Sequence, residues 1–312
     1  MTRVLITGGT GFIGRQVTEA LLDRDCEVTV VSRSSRPDNL DARADYLSTN
    51  LIDPQSSMAP LFRHGPDVLV HLAWETRHGH FWQAPENLLW VSASLRLLHA
   101  FAAQGGKRVV CAGSCVEYGP PEQGPCVPGE TAIAPRHLYA VAKDAFHRIL
   151  ACYAGAAGLS FAWGRVFYAL GPHEGSARVV PSIVQGLLRG EAVPCSSGRQ
   201  VRDFMDVRDY GSAFTTLALC KFEGPINICS GEPITLAEVF TSLGRIIGRP
   251  ELIAFGALPD RKDEPQNLWG DAAALEALGF KPRYRLAQAL VDAIEWWRPR
   301  TNRLTQEQEA RS

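Results

Sequence analysis

Tyr139 and Lys143 stand in the pattern Y-x-x-x-K, and a spacing of four puts both side chains on one face of a helix. A phenol is a weak acid-base catalyst near neutrality, because its reference pKa is about 10. An ammonium about 5 Å away contributes about 3 kcal/mol at an effective dielectric of about 20. That would lower the phenol pKa by roughly two units, toward a range useful for proton transfer. Ser114, in Cys111-Ala112-Gly113-Ser114-Cys115-Val116-Glu117-Tyr118-Gly119, can hold a carbonyl or alcohol oxygen beside Tyr139. Such a trio suits hydride chemistry at a carbinol carbon, with a proton moved on and off oxygen.

A second group of residues supplies a place for the hydride carrier. Thr7-Gly8-Gly9-Thr10-Gly11-Phe12-Ile13-Gly14 contains G-x-x-G-x-x-G at Gly8, Gly11 and Gly14. The motif lies between a β-branched run and a stretch with helical apolar spacing. Gly8 allows a tight turn, Gly11 lets backbone approach a pyrophosphate, and Gly14 lets helix and strand pack closely. The helix N-terminus offers amide donors to the phosphates. The next strand ends Val30-Val31-Ser32-Arg33-Ser34-Ser35-Arg36, with no carboxylate for a ribose 2′-hydroxyl. Arg33 and Arg36 suit a 2′-phosphate, so NADP(H) is expected in preference to NAD(H); the other reading leaves both as solvated loop charges.

Positioning these groups requires strands that alternate with helices. The pattern predicts strands at Arg3–Thr7, Val28–Val31, Asp67–Leu72, Lys107–Ala112 and Leu159–Val166. Helices are expected at Phe12–Leu22, Leu88–Ala103 and Leu138–Ala154. This is an α/β, doubly wound parallel sheet of the Rossmann kind. After Gly171-Pro172 the rhythm changes. A smaller mixed α/β lobe is expected over 167–298, and the Rossmann lobe over 1–166 should also receive a segment near 205–230. Residues 299–312 are polar without apolar period and read as a loose tail.

Composition narrows the classes. The chain has 312 residues, 46% hydrophobic and 21% charged, which excludes wholesale disorder. Its formal net charge of -1 shows no basic excess for a nucleic-acid partner. No segment approaches the length of a membrane span and no secretory leader is visible, so a cytoplasmic location is expected. The eight cysteines form no C-x-x-C pair and read as reduced thiols, without structural zinc. His78 and His80 form an H-x-H pair with no spaced carboxylate in view, so no metal site is expected.

Taken together, these motifs resemble the extended short-chain dehydrogenase/reductases of the nucleotide-sugar epimerase/dehydratase group. His71-Leu72-Ala73, Tyr118-Gly119, Gly171-Pro172, Arg202-Asp203-Phe204 and Leu278-Gly279-Phe280-Lys281-Pro282 follow in that family's order, over residues 2 to about 297. The resemblance implies that Ser114 orients the substrate oxygen, Tyr139 is the acid/base, and Lys143 binds the nicotinamide ribose. It implies cofactor contacts from Gly8, Thr10, Gly11, Phe12, Ile13 and Gly14, from Leu51 and from Asn50, near the adenine or else only capping a turn, from Leu72, Ala73 and Trp74, and from Tyr139 itself. It places Ser114, Cys115, Tyr168, Arg178, Arg202 and Arg261 near a nucleoside diphosphate sugar, the arginines suiting its phosphates. For Arg202 and Arg261 a surface salt bridge is the alternative, and for Cys115 a small packed side chain. It also implies a homodimer built from two helices per subunit, matching about 90–103 and 138–154.

Departures from the family pattern choose among its reactions. A 4,6-dehydratase carries a carboxylate directly after the active-site hydroxyl residue, where this chain has Cys115 and Val116. Glu117 is expected one step too far along a strand-like stretch, pointing away. Epimerising members resembling GDP-fucose synthase use a cysteine two residues after the serine and a distant histidine; here the cysteine is one residue after, and Arg178 stands at the histidine's place. Trp90 and Tyr168 replace two usual asparagines. The stretches 195–204 and 255–261 resemble 4-reductases of the CDP-abequose synthase type. The expected reaction is reduction of a 4-keto-6-deoxy sugar nucleotide at C4, with a 4-epimerase as the alternative. A 4,6-dehydratase and a non-catalytic redox-sensing protein are less favoured.

Overall fold

The structure, a computed structural model, describes residues 1–119, 121, 124–261 and 264–309. The first half alternates β1 (Arg3–Thr7), α1 (Phe12–Leu22), β2 (Glu27–Ser32), β3 (Asp45–Ser48), β4 (Val68–His71), α2 (Glu86–Ala103), β5 (Arg108–Ser114), α3 (Leu138–Ala157) and β6 (Ser160–Val166). The second half continues with β7 (Tyr168–Leu170), α4 (Val179–Arg189), β8 (Val193–Pro194), β9 (Val201–Asp206), α5 (Val207–Leu219) and β10 (Gly224–Ile228). It ends with β11 (Pro233–Thr235), α6 (Leu236–Ile247), β12 (Ile253–Ala254), β13 (Asn267–Leu268), α7 (Ala273–Ala277) and α8 (Leu286–Glu309).

Seven strands form one parallel sheet in the order β10-β6-β5-β4-β1-β2-β3. This is the doubly wound Rossmann arrangement expected from the alternation of strands and helices. Val4, Leu5, Ile6, Val68, Leu69 and Val70 are buried, as both faces of the sheet carry helices. Val17, Leu21, Tyr210, Phe214 and Ile226 fill one face. Leu97, Phe101, Phe146, Leu150 and Trp163 fill the other. The chain order reverses between β1 and β4, which opens a crevice at their C-terminal ends, where ligands of such sheets bind.

β9 carries a second, mixed sheet, pairing antiparallel with β11 and parallel with β13 and β7. β8 and β12 form a short parallel pair. A separate core of Val184, Leu187, Phe240, Leu243 and Ile294 fixes α4, α6 and α8 on this sheet. α6 starts from a capping box, Thr235 with Glu238.

Two elements depart from the sequence expectation. β3 is short and mostly exposed, so apolar periodicity could not reveal it. The expected tail at 299–312 is instead helical as far as Glu309, since α8 continues through Pro299; residues 310–312 lie outside the described residues. Trp296 accounts for part of that extension. The Arg300 guanidinium lies 3.6 Å from its ring centroid and donates to its carbonyl at 2.7 Å, and Thr301 is buried. Among the described residues no helix is long and apolar enough to cross a membrane.

Candidate active site

The glycine turn lies at the β1–β4 crevice and presses against its other wall. Gly8 has φ +74, and a Cβ there would stand 2.7 Å from the Ala73 amide nitrogen. A Cβ on Gly14 would meet the Gly8 carbonyl at 2.0 Å, so no other residue fits. α1 then begins at Phe12, with Gly11 as an N-cap that offers no side chain. A Cβ at Gly11 would touch only the Gly8 oxygen, at 3.2 Å, leaving open space before the helix N-terminus. Free first-turn amides facing a cleft fit the pyrophosphate of a dinucleotide, so the residues present suit this cofactor class. Thr10, Phe12 and Ile13 complete the turn.

Leu72, Ala73 and Trp74 follow β4 on the facing wall. Buried His71 fixes that wall. Its Nδ1 lies 2.6 Å from Thr7 Oγ1 and its Nε2 2.8 Å from Ser94 Oγ, while Ser94 donates to the Trp90 carbonyl. Burial, and then the Lys143 charge, hold its pKa down at about 3. The ring is therefore neutral and Nε2–H donates to Ser94.

At the end of β2, Thr10 Oγ1 is 3.5 Å from Ser32 Oγ. Arg33 is exposed there. Arg36 is otherwise engaged, donating to the carbonyls of Ala44 and Asp41. It holds the 37–44 loop rather than facing the crevice, while Tyr46 on β3 donates to the Ser34 carbonyl. Asn50 is exposed after β3, and Leu51 is buried with its carbonyl taking Arg96 Nη2.

Ser114 ends β5 and Tyr139 opens α3, so the two meet above the sheet. Burial pushes the Tyr139 phenol well above its ordinary value, and a hydrogen bond with the Ser114 hydroxyl draws it back. The expected lowering by Lys143 is absent. Lys143 turns from the phenol, its Nζ 6.0 Å from the Tyr139 ring centroid, to donate to the Ala112 carbonyl at 2.9 Å. It stacks 3.9 Å from the Trp74 ring centroid. Burial lowers the Lys143 pKa to about 8, against Glu117 and Cys111.

The expected strand-like stretch after Ser114 is also corrected. Cys115–Glu117 is a 3₁₀ turn, which swings Glu117 back beneath Ser114. Glu117 is fully buried and pairs with Arg165 at 2.8 Å. It accepts from the Trp163 indole and from the Ser114 amide at 2.7 Å. Glu117 therefore braces the backbone of Ser114 from below. Nothing in a periodicity argument pointed to it, although a buried Trp163-x-Arg165 strand implies a partner acid.

The proposed substrate residues fall into two groups. Cys115, Tyr168 and Arg202 gather between the sheets. The Cys115 thiol is buried and pushed far above its usual value, which favours its reading as a packed side chain. Arg202 is 1% exposed, lies 5.4 Å from the Tyr168 ring centroid and pairs with Glu264 at 2.6 Å. Arg178 and Arg261 form the second group, on the side of His78. Both act on the same residue, lowering the His78 pKa after burial. Arg178 stands at the N-cap of α4, donates to the Thr76 carbonyl at 3.3 Å and lies 5.6 Å from the Phe81 ring.

The segment between β4 and α2 covers Tyr139, an arrangement the sequence did not indicate. The Phe81 ring meets Tyr139 edge-on at 4.9 Å, and the Trp82 carbonyl accepts the Tyr139 amide. His80 of this segment does have carboxylates near, contrary to expectation. Ligand atoms of Glu75, His80 and Glu86 lie within 4.8 Å of one another. Arg77 donates to both carboxylates, which makes the group an ion-pair cluster.

Comparisons with known proteins agree with this geometry. The model of the NAD dependent epimerase/dehydratase family matches residues 4–229. UDP-glucuronic acid decarboxylase 1 of Danio rerio is 27% identical over 307 residues, covering 95% of this chain and 72% of the relative. The dTDP-6-deoxy-L-talose 4-dehydrogenase (NAD(+)) of Aggregatibacter actinomycetemcomitans is 26% identical over 277 residues, covering 86% of this chain and 98% of the relative. The structure of UDP-glucose 4-epimerase from Thermotoga maritima with UDP-glucose superposes with a TM-score of 0.85 at 26% identity, over 96% of this chain and 99% of that one.

Proposed function

Because the chain belongs to the NAD dependent epimerase/dehydratase family, a branch of the extended short-chain dehydrogenase/reductases, we propose that it reduces a 4-keto-6-deoxy nucleoside diphosphate sugar at C4 with NADPH. The observation that carries this reading is the meeting of Ser114 and Tyr139 above the sheet edge, with Lys143 one turn along α3, between the Ala112 carbonyl and the Trp74 ring. The nicotinamide, when bound, supplies the hydride. Tyr139 Oη passes its proton to the developing C4 alkoxide, and the Ser114 hydroxyl steadies the same oxygen. Lys143 binds the ribose hydroxyls. The lobe over 167–298 holds the nucleotide, with Arg178 and Arg261 on the side of His78 and Tyr168 and Arg202 deeper.

A 4-epimerase is the second reading, supported by the likeness to the T. maritima enzyme over nearly the whole chain. There Tyr139 first takes the C4 hydroxyl proton, and hydride later returns to the opposite face. Elimination of water is disfavoured because Cys115 and Val116 follow Ser114, while Glu117 is held by Arg165, Trp163 and the Ser114 amide. Steady NADPH consumption with a 4-keto-6-deoxy nucleotide sugar tests the choice. Redox-neutral turnover would replace the reductase by the epimerase.

Exposed Arg33, beside Thr10 and Ser32, supports NADP(H) over NAD(H). Replacing Arg33 by Ala is expected to weaken NADPH binding about tenfold or more, the scale of one charged hydrogen bond. NADH binding should hardly change, which titration calorimetry would read. Equal losses for both cofactors would return Arg33 to a solvated charge.

The Lys143 pKa of about 8 sets a pH dependence. The ammonium is present below that value and lost above it, while the raised phenol stays protonated throughout. Reduction is therefore expected to fall as pH rises through about 8. A flat profile across that range, measured at saturating sugar, would remove Lys143 from the limb.

We also propose a homodimer through α2 and α3. Leu88 and Leu89 on α2 and Val141 and Ile149 on α3 are exposed although the two helices pack together. Placing glutamate at Ile149 is expected to yield monomers in sedimentation. An unchanged mass would place any interface elsewhere.

A further inference from the structure

Lys143 is 3% exposed, yet none of the ion pairs among the described residues includes it; the lysine so paired is Lys107. Two groups face its ammonium directly, the Ala112 carbonyl at 2.9 Å and the Trp74 indole face at 3.9 Å. Of the titratable groups around it, Glu117 supplies the main opposing charge, from beyond ion-pair distance. Glu117 on the turn after β5 is bound by Arg165, Cys111 on β5 is a thiol pushed up to about 12, and His71 on β4 is neutral. Tyr139, on its own helix, is a neutral phenol. With no carboxylate in contact, the ring quadrupole is the nearest source of stabilisation for the buried cation besides the Ala112 carbonyl.

The indole is itself locked. Trp74 Nε1 donates to Asn87 Oδ1 at 2.8 Å, and Trp90 stacks on the ring at 6.1 Å with 22° between planes. Asn87 is fully buried. Its Nδ2 donates to the carbonyls of Phe81 at 2.8 Å and Ala84 at 2.9 Å. Phe81 is the ring packed T-shaped against Tyr139. One buried amide thus fixes the ring beside the lysine and the turn that carries the ring beside the tyrosine.

We propose that Trp74 and Asn87 are positioning residues for the Tyr139–Lys143 pair: the Trp74 face stands in for a counter-ion, keeping Lys143 charged and aimed, and Asn87 locks both Trp74 and the Phe81 turn. This rests on the reading of Lys143 as a cofactor-binding group. A counter-ion carboxylate would hold the lysine in place by charge and compete with its donation to ribose hydroxyls. An aromatic face stabilises the cation while leaving its N–H groups free to turn toward a ligand.

The test is cofactor affinity, by calorimetry, from about pH 6 to about pH 10, a range spanning the lysine titration. The variants are Trp74→Phe, Trp74→Leu, Trp74→Met, Asn87→Ala and Lys143→Met. Lys143→Met is expected to weaken binding and flatten the alkaline limb. Trp74→Leu removes the quadrupole and keeps the site apolar, so the limb should move down by about one pH unit. Trp74→Phe keeps a ring face but loses the bond to Asn87, so its limb should move no further than that of Asn87→Ala and less than that of Trp74→Leu. Asn87→Ala should move it part of the way. Trp74→Met makes the same comparison should the leucine variant fail to fold. Coincident limbs for the phenylalanine and either apolar variant, with Lys143→Met still flattening the limb, would overturn the role of Trp74 alone. Unaltered binding in Lys143→Met would overturn the reading of Lys143 and the proposal with it.

Discussion

Replacing Tyr139 by phenylalanine is expected to cut turnover by about 100- to 10,000-fold, the usual contribution of a positioned acid or base, while cofactor affinity stays unchanged. The substitution removes one oxygen and leaves the ring. That ring is held by Phe81 edge-on at 4.9 Å, and the Tyr139 amide by the Trp82 carbonyl, so the start of α3 should keep its place. The phenol is protonated at neutral pH because burial outweighs the Ser114 hydrogen bond. It can donate to an alkoxide, and no neighbour can replace it. Ser114 has a far weaker acid, Cys115 is packed away, and the Lys143 ammonium faces Trp74 and Ala112. Single-turnover kinetics with saturating cofactor measure the loss at the chemical step. Turnover within a few-fold of wild type would move the proton transfer to another group.

Removing the Glu117 carboxylate is expected to be the most damaging change to stability among residues that do not touch ligands. Glu117 is 0% and Arg165 2% exposed, and they meet at 2.8 Å. Glu117→Ala leaves a buried guanidinium unpaired, which costs about 3–5 kcal/mol. It also strips the Trp163 indole and the Ser114 amide of their acceptor. A domain holds only about 5–15 kcal/mol in total, so the denaturation midpoint should collapse and Ser114 should lose its fixed place. Glu117→Gln keeps an acceptor for both donors and should lose less. A midpoint within about 1 kcal/mol of the wild type for Glu117→Ala would mean that Arg165 reaches water.

These two residues also mark what the sequence could and could not disclose. Tyr139 and Lys143 were legible because their chemistry depends on a fixed helical spacing, and the glycine motif because only glycine fits at Gly8 and Gly14. The sheet was legible from its buried apolar strands, but not the exposed edge β3. Glu117 was misread because a strand was carried one turn too far, and a 3₁₀ turn reverses which way its third side chain points. The effect of Lys143 on the phenol was misjudged for a different reason. Spacing sets which face a side chain leaves from, not what it then touches, and here an indole and a carbonyl draw the ammonium away. Asn87 carried no motif at all, and its role exists only through three hydrogen bonds to residues placed by the fold.

The central claim is net hydride transfer to a sugar ketone with Tyr139 as proton donor. The most direct measurement is continuous nicotinamide absorbance with a 4-keto-6-deoxy nucleotide sugar in excess over the enzyme. The expected result is stoichiometric oxidation of NADPH to completion, abolished in Tyr139→Phe. Sugar conversion with no net change in nicotinamide absorbance would contradict it.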